Sequence, residues 1–267
     1  MMLKQTLLAL AILAVSGTAA ATDVTNPFYL PYQKQVGLIT STAFKRLVEK
    51  NKAVNTKSHQ LLVKEDVQLG LTDSVALVGA VGNTWDRWRR TRRFPTLATQ
   101  KERDNENIQW DAGLAWNILQ GPTRLQVAAK YGQNRLENFD GEYKYALGEA
   151  KLGYQFERAL PYITGSVEIP VGQKSGIKGI AGDKFIYNTK AGIYQGACEV
   201  WALDTGVRLT YDENREARLI TAEAEASYYL TPSITVGVYG TYTLDGRSKY
   251  DMDIYEKSAG ARLRLFF

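Results

Sequence analysis

The chain has 267 residues, 45% of them hydrophobic, a formal net charge of +5, one cysteine and one histidine, and a mean hydropathy of −0.28. So small a positive excess gives no footing to nucleic-acid binding, and a lone cysteine excludes an internal disulfide. No stretch approaches the roughly 20 apolar residues of a membrane-spanning helix.

The chain opens "MMLKQTLLALAILAVSGTAAATD", with one early Lys4, an apolar run from Leu7 to Val15 and then small residues. This is the pattern of a secretory signal peptide. Cleavage is expected after Ala21, leaving a removed segment at 1–21 and a single domain over 22–267. No cysteine stands at the cleavage point, which argues against a lipoprotein anchor. Cys198 reads as a small residue in a turn or on an apolar face before it reads as a reactive thiol.

Beyond residue 33 the dominant period is two. Strands are predicted near 34–44, 59–71, 75–87, 105–119, 123–135, 143–156, 160–171, 184–195, 200–211, 217–230, 233–244 and 255–267. In "RLITAEAEASYYL", Ile220, Ala222, Ala224, Ala226, Tyr228 and Leu230 face away from Thr221, Glu223, Glu225, Ser227 and Tyr229. After the tight turn Thr231-Pro232-Ser233, "SITVGVYGTYTL" repeats the pattern, with Ile234, Val236, Val238, Tyr242 and Leu244 on the apolar side. Brief turns alternate with longer polar loops, predicted near 45–58, 88–104, 136–142, 172–183, 212–216 and 245–254. Short connections on one side and long ones on the other suit a transmembrane barrel.

A soluble sandwich is the rival, but its strands average about 5–6 residues, and a packed core would refuse the charges found in mid-strand. The apolar faces therefore point to lipid and the charged faces inward. Trp110, Trp116, Tyr154, Phe156, Trp201, Tyr211, Tyr228 and Phe267 fall near strand ends on the apolar face, where interfacial aromatic girdles belong. Glu65 breaks the pattern by sharing a parity with Val63, Val67 and Leu69, and a bulge in that strand would rescue it.

The signal peptide, the even number of amphipathic strands and the ending "AGARLRLFF" resemble the outer-membrane β-barrel proteins of bacteria with two membranes, the porin-like superfamily. The resemblance covers the mature chain as architecture and fits channels, barrel enzymes and autotransporter domains alike. It implies an all-β, antiparallel up-and-down transmembrane β-barrel of about 12 strands with both termini periplasmic. It also implies a location in the outer membrane, and recognition of Phe267, Leu265 and Leu263 by the barrel assembly machinery.

Inward-facing charges are expected at Lys64, Asp66, Asp111, Lys130, Glu149, Lys151, Glu168, Lys190, Asp204, Arg208, Glu223, Glu225, Arg262 and Arg264. Buried charges persist only if paired or wet. Two outcomes follow: a water-filled channel, or a barrel closed by ion pairs. The arginines on the last strand sharpen the choice. Unpaired, Arg262 and Arg264 would favour anions; reaching Glu223 or Glu225, they would be structural.

The stretch "NTWDRWRRTRRFP" reads as an extracellular loop, in which Arg87, Arg89, Arg90, Arg92 and Arg93 alternate with Trp85, Trp88 and Phe94. Arginine forks bind phosphate, so this loop is either a lipopolysaccharide contact or a solvated tip. Catalysis has little support. His59 pairs with Ser58 or Ser41 only by conjecture, and Glu223 and Glu225 merely line one wall. No metal or other cofactor is implied, and "YDMD" at Tyr250–Asp253 reads as a solvated loop.

The preferred function is a narrow channel for passive diffusion of small solutes. A closed structural or interaction barrel is the alternative, and a barrel enzyme comes third. The expected partners are outer-membrane lipid, including lipopolysaccharide, and the assembly machinery, with no nucleic acid.

Overall fold

The computed structural model describes residues 23–93, 98–136, 141–174, 184–198, 200–249 and 251–267. The expected signal peptide, its cleavage site and most of the 172–183 loop lie outside the described residues. Among those residues twelve strands occur: β1 (Val36–Lys50), β2 (Val54–Gly70), β3 (Val75–Arg93), β4 (Ala98–Gln120), β5 (Thr123–Leu136) and β6 (Gly141–Tyr154). They continue as β7 (Ala159–Lys174), β8 (Ile186–Cys198), β9 (Trp201–Asp212), β10 (Ala217–Thr231), β11 (Ile234–Ser248) and β12 (Met252–Phe266). Each pairs with its sequence neighbours, and β1 closes on β12, so the sheet is a closed up-and-down barrel without a free edge. The closing seam runs in continuous register from Gly37 opposite Phe266 to Lys50 opposite Asp253.

Side-chain alternation makes the barrel inside out relative to a soluble protein. Large apolar residues point outward and are exposed, among them Val81, Leu114, Val238 and Leu244. Outward Trp85, Trp110, Trp116, Tyr154, Trp201 and Tyr211 are exposed as well. Polar side chains point inward, where Ser58, Asp111, Gln126, Ser227, Thr235 and Arg264 are buried. Only a hydrocarbon surround rewards that inversion.

At the end carrying both termini and the short turns, strand limits agree with the alternation to within three residues, the largest difference being β8, which runs on to Cys198. At the opposite end several strands run past it. The predicted loops near 45–58 and 88–104 are largely ladder: β1 reaches Lys50, β2 begins at Val54, and β3 and β4 extend to Arg93 and from Ala98. The reason is physical. Above the hydrocarbon both faces of a strand meet water, so the period-two contrast vanishes while backbone pairing continues. The basic stretch is accordingly not a loop. Arg87, Arg89, Arg90 and Arg92 lie on β3, opposite His59, Lys57, Thr56 and Val54 of β2. Arg93 is its last residue.

The second strand also differs from expectation. β2 pairs with β1 and β3 without a register shift, so no bulge turns Glu65 inward. Its exposed side chain stands on the outer face between Thr40 and Val81.

The core lies inside the barrel near the short turns, and a non-strand segment builds it. Residues 23–35 precede β1 and contribute buried Val24, Phe28 and Leu30. Phe28 packs with Leu160, Tyr162, Tyr194 and Ala202, while Leu30 packs with Ala76, Val78 and Ala115. The segment leaves the lumen at Lys34, whose left-handed φ of 69° turns the chain into β1.

Candidate functional site: the lumen

The floor of the lumen is residues 23–35. Asp23 accepts hydrogen bonds from the hydroxyls of Tyr194 on β8 and Tyr229 on β10. Thr25 Oγ1 lies 2.7 Å from the Tyr194 hydroxyl and 2.6 Å from that of Tyr229. Across the barrel, the Nε2 of Gln126 and the Nδ2 of Asn117 each donate to the Phe28 carbonyl at 3.2 Å. Lys151 Nζ donates to the Pro27 carbonyl at 3.2 Å. The Tyr29 ring meets inward-facing Phe266 edge-on at 4.8 Å. The segment thus touches walls on opposite sides, and its backbone oxygens satisfy polar groups that would otherwise face a void. Sequence reasoning passed over it because it has no period. The available signal was Phe28, Leu30, Pro27 and Pro31 placed ahead of the first strand, with no strand face of their own.

Above this floor lies a cavity of about 250 Å³, and beside it a second of about 360 Å³. Both are lined by Asp204, Glu225 and Arg262. Strand parity sends every expected lumen charge inward, and most stand beside an opposite charge. Lys64 is 2.7 Å from Asp66, Lys130 is 3.3 Å from Asp111, and Lys151 is 3.2 Å from Glu149. Glu168 projects inward opposite Leu147. On the far wall Lys190 bridges Asp204 at 3.1 Å and Glu223 at 3.5 Å, and Arg208 reaches Glu223 at 2.8 Å. Lys45 and Glu256, which the alternation did not single out, pair at 2.8 Å.

The two arginines of β12 resolve toward pairing. Arg262 forms an ion pair with Glu225, and Arg264 Nη2 reaches the other oxygen of the same carboxylate at 2.5 Å. Ser227 Oγ and Ser41 Oγ take further guanidinium N–H groups at 3.2 and 3.1 Å. A bare cationic wall is therefore ruled out at this level. The contact skips a strand: β11 lies between, and there Gly237 stands opposite both Arg262 and Ser227. A Cβ at Gly237 would come within 3.1 Å of the Glu225 carboxylate and 3.0 Å of the Ser227 hydroxyl. The missing side chain is the opening through which the carboxylate reaches the arginines. The same arrangement recurs at Gly192 on β8. The Tyr162 ring of β7 lies over it, and its hydroxyl donates to Asp204 of β9 at 2.8 Å.

The basic stretch divides between the two faces. Arg90 points inward, donating to Thr56 at 3.3 Å and stacking over Trp88 at 5.6 Å. Arg87 points outward, pairs with Asp104 at 2.9 Å, and has 79% of its side chain exposed. Arg89 shares that outer face, while Arg92 follows the inner parity of Arg90. Ser58 faces inward and donates to Asp86 at 2.5 Å, so its neighbour His59 points outward. Ser58 and His59 cannot form a nucleophile–base pair from opposite sides of a sheet. Ser41 also faces the lumen, bound to Arg262. At the C-terminus Leu263 and Leu265 face outward. Phe267 continues the seam by exchanging backbone hydrogen bonds with Val36.

No family model matches the chain, and no curated protein matches it. Solved structures do. An outer-membrane channel from Pseudomonas putida aligns at 12% identity over 92% of this chain and all of its own, with a TM-score of 0.65. The transport unit of the autotransporter AIDA-I from Escherichia coli aligns at 9% identity, covering 95% of each chain, with a TM-score of 0.56. The Ralstonia pickettii toluene transporter TbuX aligns at 12% identity over 95% of this chain and 97% of its own, with a TM-score of 0.50. At such identities the shared property is the fold, that of bacterial outer-membrane β-barrels.

Proposed function

We propose that this protein is a narrow channel of the bacterial outer membrane, through which small hydrophilic solutes diffuse passively. Both termini and the short turns would face the periplasm. The carrying observation is the pair of lumen cavities that share Asp204, Glu225 and Arg262. Their walls hold acids and bases in alternation, and charges in a lumen keep their ionised forms when they are paired or when water reaches them; the cavities leave room for that water. Both signs line the same stretches of wall as local ion pairs, so the lumen rejects neither ion sign outright. The likeness to other outer-membrane channels supports this reading.

The closed-barrel alternative draws on one observation, the segment 23–35 lying across the floor with hydrogen bonds to opposite walls. Conductance in planar bilayers separates the two. Reproducible unit steps from the purified protein support the channel. Silence at all voltages, in a preparation whose gel migration is heat-modifiable, overturns it in favour of the closed barrel.

A further inference from the structure

Strand register places a row of three cationic side chains and one imidazole on the outer wall. Lys257 of β12 stands opposite Arg46 of β1, Arg46 opposite His59 of β2, and His59 opposite Arg87 of β3. All four are exposed. Neighbouring strands are about 4.8 Å apart, so the row spans roughly 15 Å. Like charges directly opposite one another destabilise a sheet, so the opposed pair Arg46 and Lys257 has a cost that an anion would remove. Arg87 has Asp104 as a partner at the edge of the row. Among the described residues no ion pair involves Arg46 or Lys257.

The next row toward the short turns is apolar. Phe44 lies opposite Leu61, and Leu61 opposite Trp85. Phe44 is 71% exposed and Trp85 42%. The two rows together line an open depression of about 880 Å³ on the wall. A cationic band directly above exposed aromatic side chains is what a membrane-facing surface shows where headgroups give way to acyl chains.

We infer that this depression binds a phosphorylated glycolipid of the outer leaflet, its phosphate on Arg46, His59 and Lys257 and an acyl chain along Phe44, Leu61 and Trp85. The inference rests on the outer-membrane placement proposed above. It moves the lipopolysaccharide contact from a loop to the barrel wall and adds residues of β1, β2 and β12 that the basic stretch does not contain. A zwitterionic phospholipid carries no net charge to match the row, and a free anion would leave the aromatic side chains uncovered.

The experiment is a titration of full-length protein in detergent micelles with diphosphorylated lipid A, read by native mass spectrometry as a one-to-one adduct. Parallel arms contain phosphatidylglycerol, phosphatidylcholine or inorganic phosphate. Saturable lipid A binding, weakened at least tenfold in the Arg46→Gln, Lys257→Gln variant, is expected. Equal lipid A affinity in the two proteins overturns the inference. So does inorganic phosphate or phosphatidylglycerol binding as tightly as lipid A. Both substituted side chains face outward, so heat-modifiable migration and conductance of the same preparation should be unchanged. Those readouts test the channel separately from the lipid site.

Discussion

Arg264 of β12 and Glu225 of β10 meet at 2.5 Å across an intervening strand, through the gap left by Gly237. Arg264 is 7% exposed, so this carboxylate answers a guanidinium that has lost most of its hydration. It also answers Arg262 at its other oxygen. One acid thus compensates two bases, and removing it strands both.

Glu225→Gln is expected to destabilise the folded barrel by about 1–3 kcal/mol, the penalty of leaving hydrogen-bonded groups unmatched. Filling the gap with Gly237→Val should displace the same carboxylate and act in the same direction. The two changes touch one interaction, so the double variant should lose less than the sum. Urea unfolding in lipid vesicles, read by the heat-modifiable gel shift, checks all three. If channels open at all, Glu225→Gln should also raise anion preference.

Phe28 is 3% exposed, sits edge-on to Tyr162 at 6.2 Å, and fills the space above Gly153. Phe28→Ala removes the largest apolar anchor of the floor while leaving the barrel ladder intact. Single-channel conductance or open probability should increase severalfold, with stability reduced by about 3–5 kcal/mol. Conductance equal to wild type would show that the floor does not limit flow.

Glu65 is an acid on the outer face of β2, between Val63 and Val67 along the strand and opposite Val81 of β3. Carboxylates on a lipid-facing strand destabilise less than lysine or arginine does, but they do destabilise. Glu65→Leu should stabilise the barrel by roughly 1–2 kcal/mol, measured by the urea midpoint in vesicles with conductance unaltered.

Phe266 and Phe267 should separate into different phenotypes. Phe266 is 3% exposed, turned inward over Gly37 and against Tyr29. Phe266→Ala should cost about 3 kcal/mol of stability. Phe267→Ala should leave the stability of the folded protein nearly unchanged and lower its assembled yield in cells. Comparing the folded fraction in membranes with the unfolding midpoint of purified protein tests both halves.

The sequence by itself determined the strand number, the pairing of neighbours and most of the charges that face the lumen, though not Lys45 on β1 or Glu256 on β12, because the period of two is imposed wherever one face meets hydrocarbon and the other water. Its reach ended where that contrast ended. Above the girdle β3 and β4 continue with polar residues on both faces, and no alternation marks Arg87–Arg92 as strand. Glu65 was legible as an exception, yet only the unbroken register of β2 showed that it stays outside. The tertiary structure alone decided what the inward charges do. Arg264 and Glu225 are 39 residues apart on strands that do not pair, and their meeting depends on an absent side chain on the strand between them. It alone decided, too, that the aperiodic residues 23–35 lie across the lumen. Their partners, Tyr194, Tyr229, Gln126 and Phe266, come together only when β12 closes on β1.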